Sequence, residues 1–331
     1  MNFNKLLKTK TIIVAEIGNN HEGSLSVAKK LIDEAKKCGV DAVKFQTFLP
    51  EKFIYKKNKK RIKQIKKFQL SFEQFSYLSK YTKKKKLIFI STPFDIESAI
   101  FLNKIQNIFK VSSGDNNFYP LLNTIARFNK TIILSTGLMQ LSEIKKTVSF
   151  INKIWTKIKK NKKKLILLHC VSSYPVENRD ANIMSISYLK DKFKNNIIGY
   201  SDHTIGNSAA VGAVYLGAKV IEKHFTLNNN YSSFRDHKLS LNPKNMKKLV
   251  EEIRKAEELL GEYKKKPNRT EEKNITTMRR SISINEDKKK GEKIDFKDLI
   301  WVRSTKGLRP GREKKILKKA KKNYRSGDLL L

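Results

Sequence analysis

The 331-residue sequence predicts an α/β fold, a (β/α)8 TIM barrel followed by a small β-rich domain. Three observations carry this expectation. Short β-branched runs alternate with stretches of helical spacing from residue 11 to residue 260. Eight such runs occur, and a doubly wound open sheet, the competing arrangement, seldom needs so many. After Gly261 the alternation stops and a Lys/Pro/Asn-rich stretch leads into short strand-like segments.

The eight runs span residues 11–17, 41–47, 87–91, 109–112, 131–135, 165–170, 197–201 and 219–225. Helical spacing recurs between them at 24–37, 72–85, 96–105, 141–158 and 207–216. A further helix, 245–260, follows the eighth run and stops at Gly261, a residue suited to a helix C-cap. Residues 50–68 and 228–243 read as long loops after the second and eighth strands. Barrel enzymes build their sites from loops at that end. The barrel is therefore assigned to residues 1–262, a linker to 263–277 and the β-rich domain to 278–331. Strands are expected in SISINEDKKKGEKI, DLIWVRS and AKKNYRSGDLLL. A domain of roughly 50 residues has a thin core, so docking on the barrel or on a second subunit is expected.

Lys plus Arg number 71 against 31 Asp plus Glu, a formal net charge of +40. Only 12 of the basic residues are Arg and 59 are Lys, whereas phosphate and base readers favour the planar fork of Arg. Runs such as 83–86 and 162–164 read as a Lys coat on solvated faces, and no specific nucleic-acid partner is expected. The hydrophobic fraction of 39% supplies a sizeable core. Cys38 and Cys170 form no disulfide framework, which points to a reducing cytoplasm. The first apolar run contains Glu16 and no cleavage signal follows it, so a signal peptide is not expected. No segment approaches the roughly 20 apolar residues of a membrane helix, and no membrane partner is expected.

Polar residues gather where the strands end: AEIGNNHEG, VKFQT, ISTPFD, FKVSSGD, ILSTG, LLHCVSSYP, GYSDHTIG and IEKHFT. Buried without partners they would be costly, so they meet one another or a ligand. Lys44, Thr92, Lys110, Ser113, Ser135 and Ser201 are ammonium and hydroxyl groups of the kind that hold a phosphate. All five histidines (His21, His169, His203, His224 and His237) lie at or just after strand ends. His203 and His224 close consecutive strands, a pair suited to a catalytic divalent metal and too few ligands for structural zinc. Glu16 is a candidate general base, or simply an ion-pair partner of Lys44. Arg303, in WVRSTKG, is placed as a cover for the barrel mouth. Two other functions fit parts of the pattern. One is a pyruvate-dependent Schiff-base aldolase or lyase using Lys44, Lys110 or Lys223, and the other is a basic nucleic-acid-binding protein.

The sequence resembles the sialic acid synthase family, including the legionaminic and pseudaminic acid synthases. The matching pieces are AEIGNNHEGSLSVAKKLIDEAKKCGVDAVKFQT, ISTPFD, KVSSGD, IILSTGL, LLHCVSSYP, IGYSDHTIGNSAAVGAVYLGA and IEKHFT. The segment from RRSISI to SGDLLL resembles the family's C-terminal antifreeze-like (SAF) domain. The resemblance implies condensation of phosphoenolpyruvate with an open-chain N-acetylated aldose, with loss of phosphate by C–O cleavage. It implies His203 and His224 as metal ligands, for Mn²⁺ with Mg²⁺ or Co²⁺ as alternatives. Lys44, Thr92, Lys110, Ser113, Ser135 and Ser201 fall on positions that hold phosphoenolpyruvate, and Glu16 on the glutamate near the reacting centre. Gln46, Asp115, Tyr174 and Asp236 fall on or beside sugar-lining positions. Arg303 matches the SAF-domain arginine that serves the partner's site in a domain-swapped homodimer. The sequence departs from the family at Asp115, where Glu is frequent, at Ser172, at FRDHKLS and at the Ser-Thr-Lys after Arg303. These departures leave the acceptor open between N-acetylmannosamine and a diacetamido-trideoxyhexose.

Overall fold

The computed structural model describes residues 3–158 and 164–331, so Lys162 and Lys163 of the expected 162–164 run lie outside the described residues. Eight parallel strands close into a barrel in sequence order. They are β1 (Ile12–Gly18), β2 (Ala42–Thr47), β3 (Ile88–Pro93), β4 (Ile108–Val111), β5 (Thr131–Ser135), β6 (Leu165–Cys170), β7 (Ile197–Asp202) and β8 (Val220–His224). The expected TIM barrel is thus formed, and β8 returns to pair with β1 from Ile12↔Val220 to Glu16↔His224.

Period-2 alternation sorts each strand into two faces. Outward residues such as Ile13, Ala15, Val43, Phe45, Phe89, Phe109, Leu134 and Ile221 pack against the surrounding helices. Inward residues fill the lower barrel, among them Ile12, Val14, Ile90, Ile108, Ile133, Ile166, Leu168 and Val220. A helix preceding β1, Phe3–Thr9, adds Phe3 and Leu7 to this inner cluster and plugs the N-terminal end. Apolar packing therefore occupies one end of the barrel, and the polar strand ends converge at the other.

Two further helices complete the alternation, Tyr119–Arg127 after β4 and Ser185–Lys192 after β6. The first carries Pro120 in its first turn and buries Leu121, Leu122, Ile125 and Ala126, and the second buries only Ile186 and Leu189. The loop at 50–68 contains the helices Pro50–Phe53 and Lys59–Lys66, and the loop at 228–243 contains the helix Arg235–Leu239. Lys59–Lys66 buries none of its residues, so no apolar stripe could announce it.

The chain divides into two compact units, Met1–Gly261 and Glu262–Leu331. The second has its own core of Ile282, Ile284, Ile294, Leu299, Ile316, Ala320 and Leu330. Its sheet pairs β9 (Arg280–Ile284) with β10 (Leu299–Arg303) antiparallel. The third expected strand, in AKKNYRSGDLLL, forms only isolated bridges such as Ser283↔Leu329 and Lys288↔Tyr324. The expected linker at 263–277 falls within this second unit, and most of the helix Glu272–Met278 lies inside it. Both cysteines are free and buried. Among the described residues no helix is long and apolar enough to cross a membrane.

Candidate active site

A cavity of about 920 Å³ opens at the C-terminal end of the barrel. Its floor is made by inward side chains at the strand ends: Glu16, Lys44, Thr92, Lys110, Ser135, Ser201, Glu222 and His224. The same alternation that fills the lower barrel with Ile and Leu brings these polar groups into one layer above it.

The two expected lysines are buried and already paired. Lys44 Nζ lies 2.7 Å from Glu16 Oε2 and 3.7 Å from Glu222 Oε2, and donates to Thr92 Oγ1 at 3.3 Å. Lys110 Nζ lies 3.2 Å from Glu222 Oε1, which also accepts from Ser201 Oγ at 2.8 Å. The two carboxylates differ in their electrostatics. Burial raises Glu16 to about 7, with Glu222 adding to the rise against the pull of Lys44. Burial also pushes Glu222 upward, but Lys110 and Lys44 together overcome it and hold the group down at about 2. The cluster thus combines two ammonium groups, one firmly ionised carboxylate and one that titrates near neutrality.

Several lining groups have no partner in the protein. Ser113 Oγ, Ser135 Oγ, Ser172 Oγ and His224 Nδ1 are buried polar atoms without a hydrogen bond. Such atoms are costly unless a ligand or water satisfies them. Gly137 leaves a recess between two of the serines, because a Cβ there would stand 2.6 Å from both Ser113 Oγ and Ser172 Oγ.

His203 and His224 come together with ring centroids 5.4 Å apart. His203 Nδ1 donates to the Val171 carbonyl at 2.8 Å, which leaves Nε2 as the nitrogen available to a ligand. Burial, aided by His203 and Lys44, holds His224 well below the ordinary histidine range and so neutral. His224 is neutral with an orphaned nitrogen, whereas burial lowers His203 but its contacts with Cys170 and the Val171 carbonyl raise it above the ordinary histidine range; once His203 gives up its proton, the pair suits a divalent metal. Among the described residues no group of three or more His, Cys, Asp or Glu is arranged to hold a metal, so an ion here would keep open positions. Tyr174 packs on His203 with ring centroids 4.2 Å apart, and the Arg235 guanidinium lies over the Tyr174 ring, 5.0 Å from its centroid.

The other three histidines serve the scaffold. His21 is buried and accepts from the Gly23 amide, His169 bonds the Ala181 carbonyl, and His237 contacts Thr226 and Glu22. Of the expected sugar-side residues, Gln46, Tyr174 and Asp236 line the cavity. Gln46 is held between Asn19, from which it accepts, and Glu16, to which it donates. Asp115 does not line the cavity; its carboxylate accepts from Ser112 Oγ and closes the turn after β4. Arg303 belongs to the second unit, on β10, and is exposed. Lys223 points to the outer face, fully buried against Asp202, so it is no cavity nucleophile.

Sequence reasoning missed Glu222, although its position two residues before His224 on a strand places it on the same face. It also missed the apolar rim. Phe48, Phe53 and Phe94 form a three-ring cluster with centroids 5.6–6.2 Å apart, and Phe68 packs on Phe234 at 4.8 Å. These rings come from loops and short helices, where no periodicity marks the buried side.

The same fold recurs among solved proteins. The model of the NeuB family matches residues 31–265. The chain belongs to the NeuB family. The match ends before β9, so all but the first four residues of the second unit lie outside it. An N,N'-diacetyllegionaminic acid synthase of Campylobacter jejuni is 40% identical, with 97% of this chain and 99% of that protein aligned. A pseudaminic acid synthase of the same species is 36% identical over 97% of this chain and 95% of that protein. The N-acetylneuraminic acid synthetase of Leptospira borgpetersenii, solved with citrate, is 36% identical over 81% of this chain and 90% of that one, with a TM-score of 0.75. These NeuB-type relatives are sugar-acid synthases, and this chain shares their fold and family.

Proposed function

We propose that this protein condenses phosphoenolpyruvate with an open-chain N-acetylated aldose and water, giving a nine-carbon 2-keto sugar acid and phosphate. The observation that carries the reading is the single polar layer at the barrel mouth. Two buried lysines, unpaired serine hydroxyls and a close histidine pair face one cavity there. Lys44, Lys110, Thr92, Ser113, Ser135 and Ser201 would hold the phosphate and carboxylate of phosphoenolpyruvate. An anionic ligand would share lysines now engaged by Glu16 and Glu222. His203 and His224 would hold Mn²⁺, with Mg²⁺ or Co²⁺ as alternatives. A bound divalent ion would supply Lewis-acid polarisation of the acceptor's aldehyde oxygen.

The carbon–carbon bond forms between C3 of phosphoenolpyruvate and the aldehyde carbon. Water then adds at C2, and the C–O bond to the phosphate breaks. Glu16, titrating near neutrality beside Lys44, is poised to take or return a proton at Oε2. Gln46, Tyr174 and Asp236 face the acceptor side, with Asn19 and Arg235 orienting them. The aromatic rim favours a diacetamido-trideoxyhexose, whose methyl groups it can cover, over N-acetylmannosamine. In the same reading the protein acts as a homodimer in which Arg303 of one copy serves the partner's cavity. Mixed dimers of His203→Ala and Arg303→Ala chains should then recover activity that neither homodimer has.

The direct test is phosphate release from phosphoenolpyruvate with Mn²⁺, offering N-acetylmannosamine and diacetamido-trideoxyhexoses in parallel. Release with a diacetamido sugar, lost in His203→Ala and His224→Ala, is the expected result. No release with any acceptor would overturn the reading, as would a borohydride-trapped adduct with pyruvate, the mark of a Schiff-base aldolase.

A further inference from the structure

Behind the histidine pair, on the outer face of the barrel, lies a polar cluster that touches no part of the cavity. Asp202 and Lys223 are register partners on β7 and β8. Both are completely buried, and their side chains meet at 2.7 Å. Asp202 Oδ1 accepts from the Thr204 amide and the Thr204 hydroxyl, both at 2.8 Å. Lys223 Nζ also donates to the Thr204 carbonyl at 2.5 Å. These three residues flank the histidines in the chain: Asp202 and Thr204 bracket His203, and Lys223 immediately precedes His224.

Their neighbours on the outer face are apolar or aromatic, among them Tyr200 and Ile221. A buried ion pair in such surroundings contributes little net stability, and apolar residues of similar volume are often as stable or more so. Apolar residues would not close the hydrogen-bonded ring that ties both flanks of His203 to the strand carrying His224. The inner-face pair one step earlier, Ser201↔Glu222, fixes the register, and His203 and Thr204 are tied to the segment after β6 through Val171 and Val176, but among the described residues only the outer ring links them to the strand carrying His224.

We propose that Asp202, Lys223 and Thr204 form a positioning brace that sets the separation of His203 and His224 for the divalent ion. The inference rests on the metal site of the proposed function and adds three residues that never touch the ion. Outer groups that orient ligands commonly change metal affinity by about 10- to 100-fold when removed.

The test measures Mn²⁺ affinity directly, from free Mn²⁺ by electron paramagnetic resonance, without turnover, alongside thermal unfolding. Thr204→Val should weaken Mn²⁺ binding several-fold with little change in Tm, and Thr204→Ser should restore it. The apolar pair Asp202→Leu/Lys223→Met should keep or raise Tm yet bind Mn²⁺ at least about 10-fold more weakly. Parental Mn²⁺ affinity in both Thr204→Val and the apolar double variant would overturn the brace. If the double variant fails to fold, Thr204→Val against Thr204→Ser decides alone. A parent protein that binds no Mn²⁺ would instead sink the metal reading, and the brace with it.

Discussion

At the scale of single residues, the site is governed by two glutamates with opposite electrostatic fates. Glu222 lies between two lysines and stays ionised, whereas Glu16 is deeply buried, has Lys44 as its close partner and rises to about 7. Because its folded-state pKa lies above the ordinary 4.5, Glu16 binds its proton more tightly in the native protein than in the unfolded chain. Its contribution therefore leaves stability undiminished below about 4.5, erodes it as pH rises towards about 7, and is flat beyond. The erosion is on the order of 3 kcal/mol. Glu16→Gln should abolish this decline, which Tm measured at closely spaced pH values would reveal. If the Glu16→Gln profile ran parallel to the parental one, Glu16 would not be the group that titrates there. Glu222 also shows what a sequence reader can and cannot see. Its strand parity with His224 was legible, but its pairing with Lys44 and Lys110 joins β8 to β2 and β4, and only barrel closure makes those strands neighbours across the lumen.

At the scale of elements, the barrel is closed at one end by a helix and shaped at the other by loops. Leu7 and Phe3 complete the inner apolar cluster, so Leu7→Ala should cost about 2–4 kcal/mol in denaturant unfolding. The site lies at the opposite end, and kcat at about 25 °C should be unchanged. A matching loss of kcat in the folded variant would show that the two ends are coupled. At the mouth, Phe53 contacts Phe48 and Phe94 and remains 37% exposed, as a side chain awaiting a ligand does. Phe53→Ala should raise KM for a diacetamido acceptor several-fold and leave KM for phosphoenolpyruvate nearly unchanged. Equal effects on both substrates, read from steady-state kinetics, would place the rim elsewhere in the reaction. Strands β1 to β8 were legible because each carries a β-branched run. The helices Lys59–Lys66 and Arg235–Leu239 were not, since the first buries nothing and the second is a single turn and a half ordered by tertiary contacts.

At the scale of the whole molecule, the charge of +40 surrounds a site that is itself nearly balanced, with Lys44 and Lys110 facing Glu16 and Glu222. If the excess acts on substrate at all, it does so at long range, through a field that draws anions toward the cavity. Raising salt from about 0.02 to 0.3 M should lower kcat/KM for phosphoenolpyruvate and leave kcat in place, because the Debye length falls from about 20 to about 6 Å and distant charges are screened from the cavity. A salt-independent kcat/KM would remove any role for the Lys coat in substrate capture.

The sequence by itself determined the alternation of strands and helices, the parity that puts Lys44, Lys110, Ser201 and His224 on one face, and the change of character after Gly261. Those features are local, written in side-chain period and composition. Tertiary structure decided which polar groups satisfy one another and which are left open. It paired Lys44 with Glu16, turned Asp115 away to Ser112, buried Lys223 on Asp202 and left Ser113, Ser135 and His224 without partners. The reason is physical: hydrogen bonds and ion pairs depend on distances of a few ångströms between residues far apart in the chain, and barrel closure alone sets those distances.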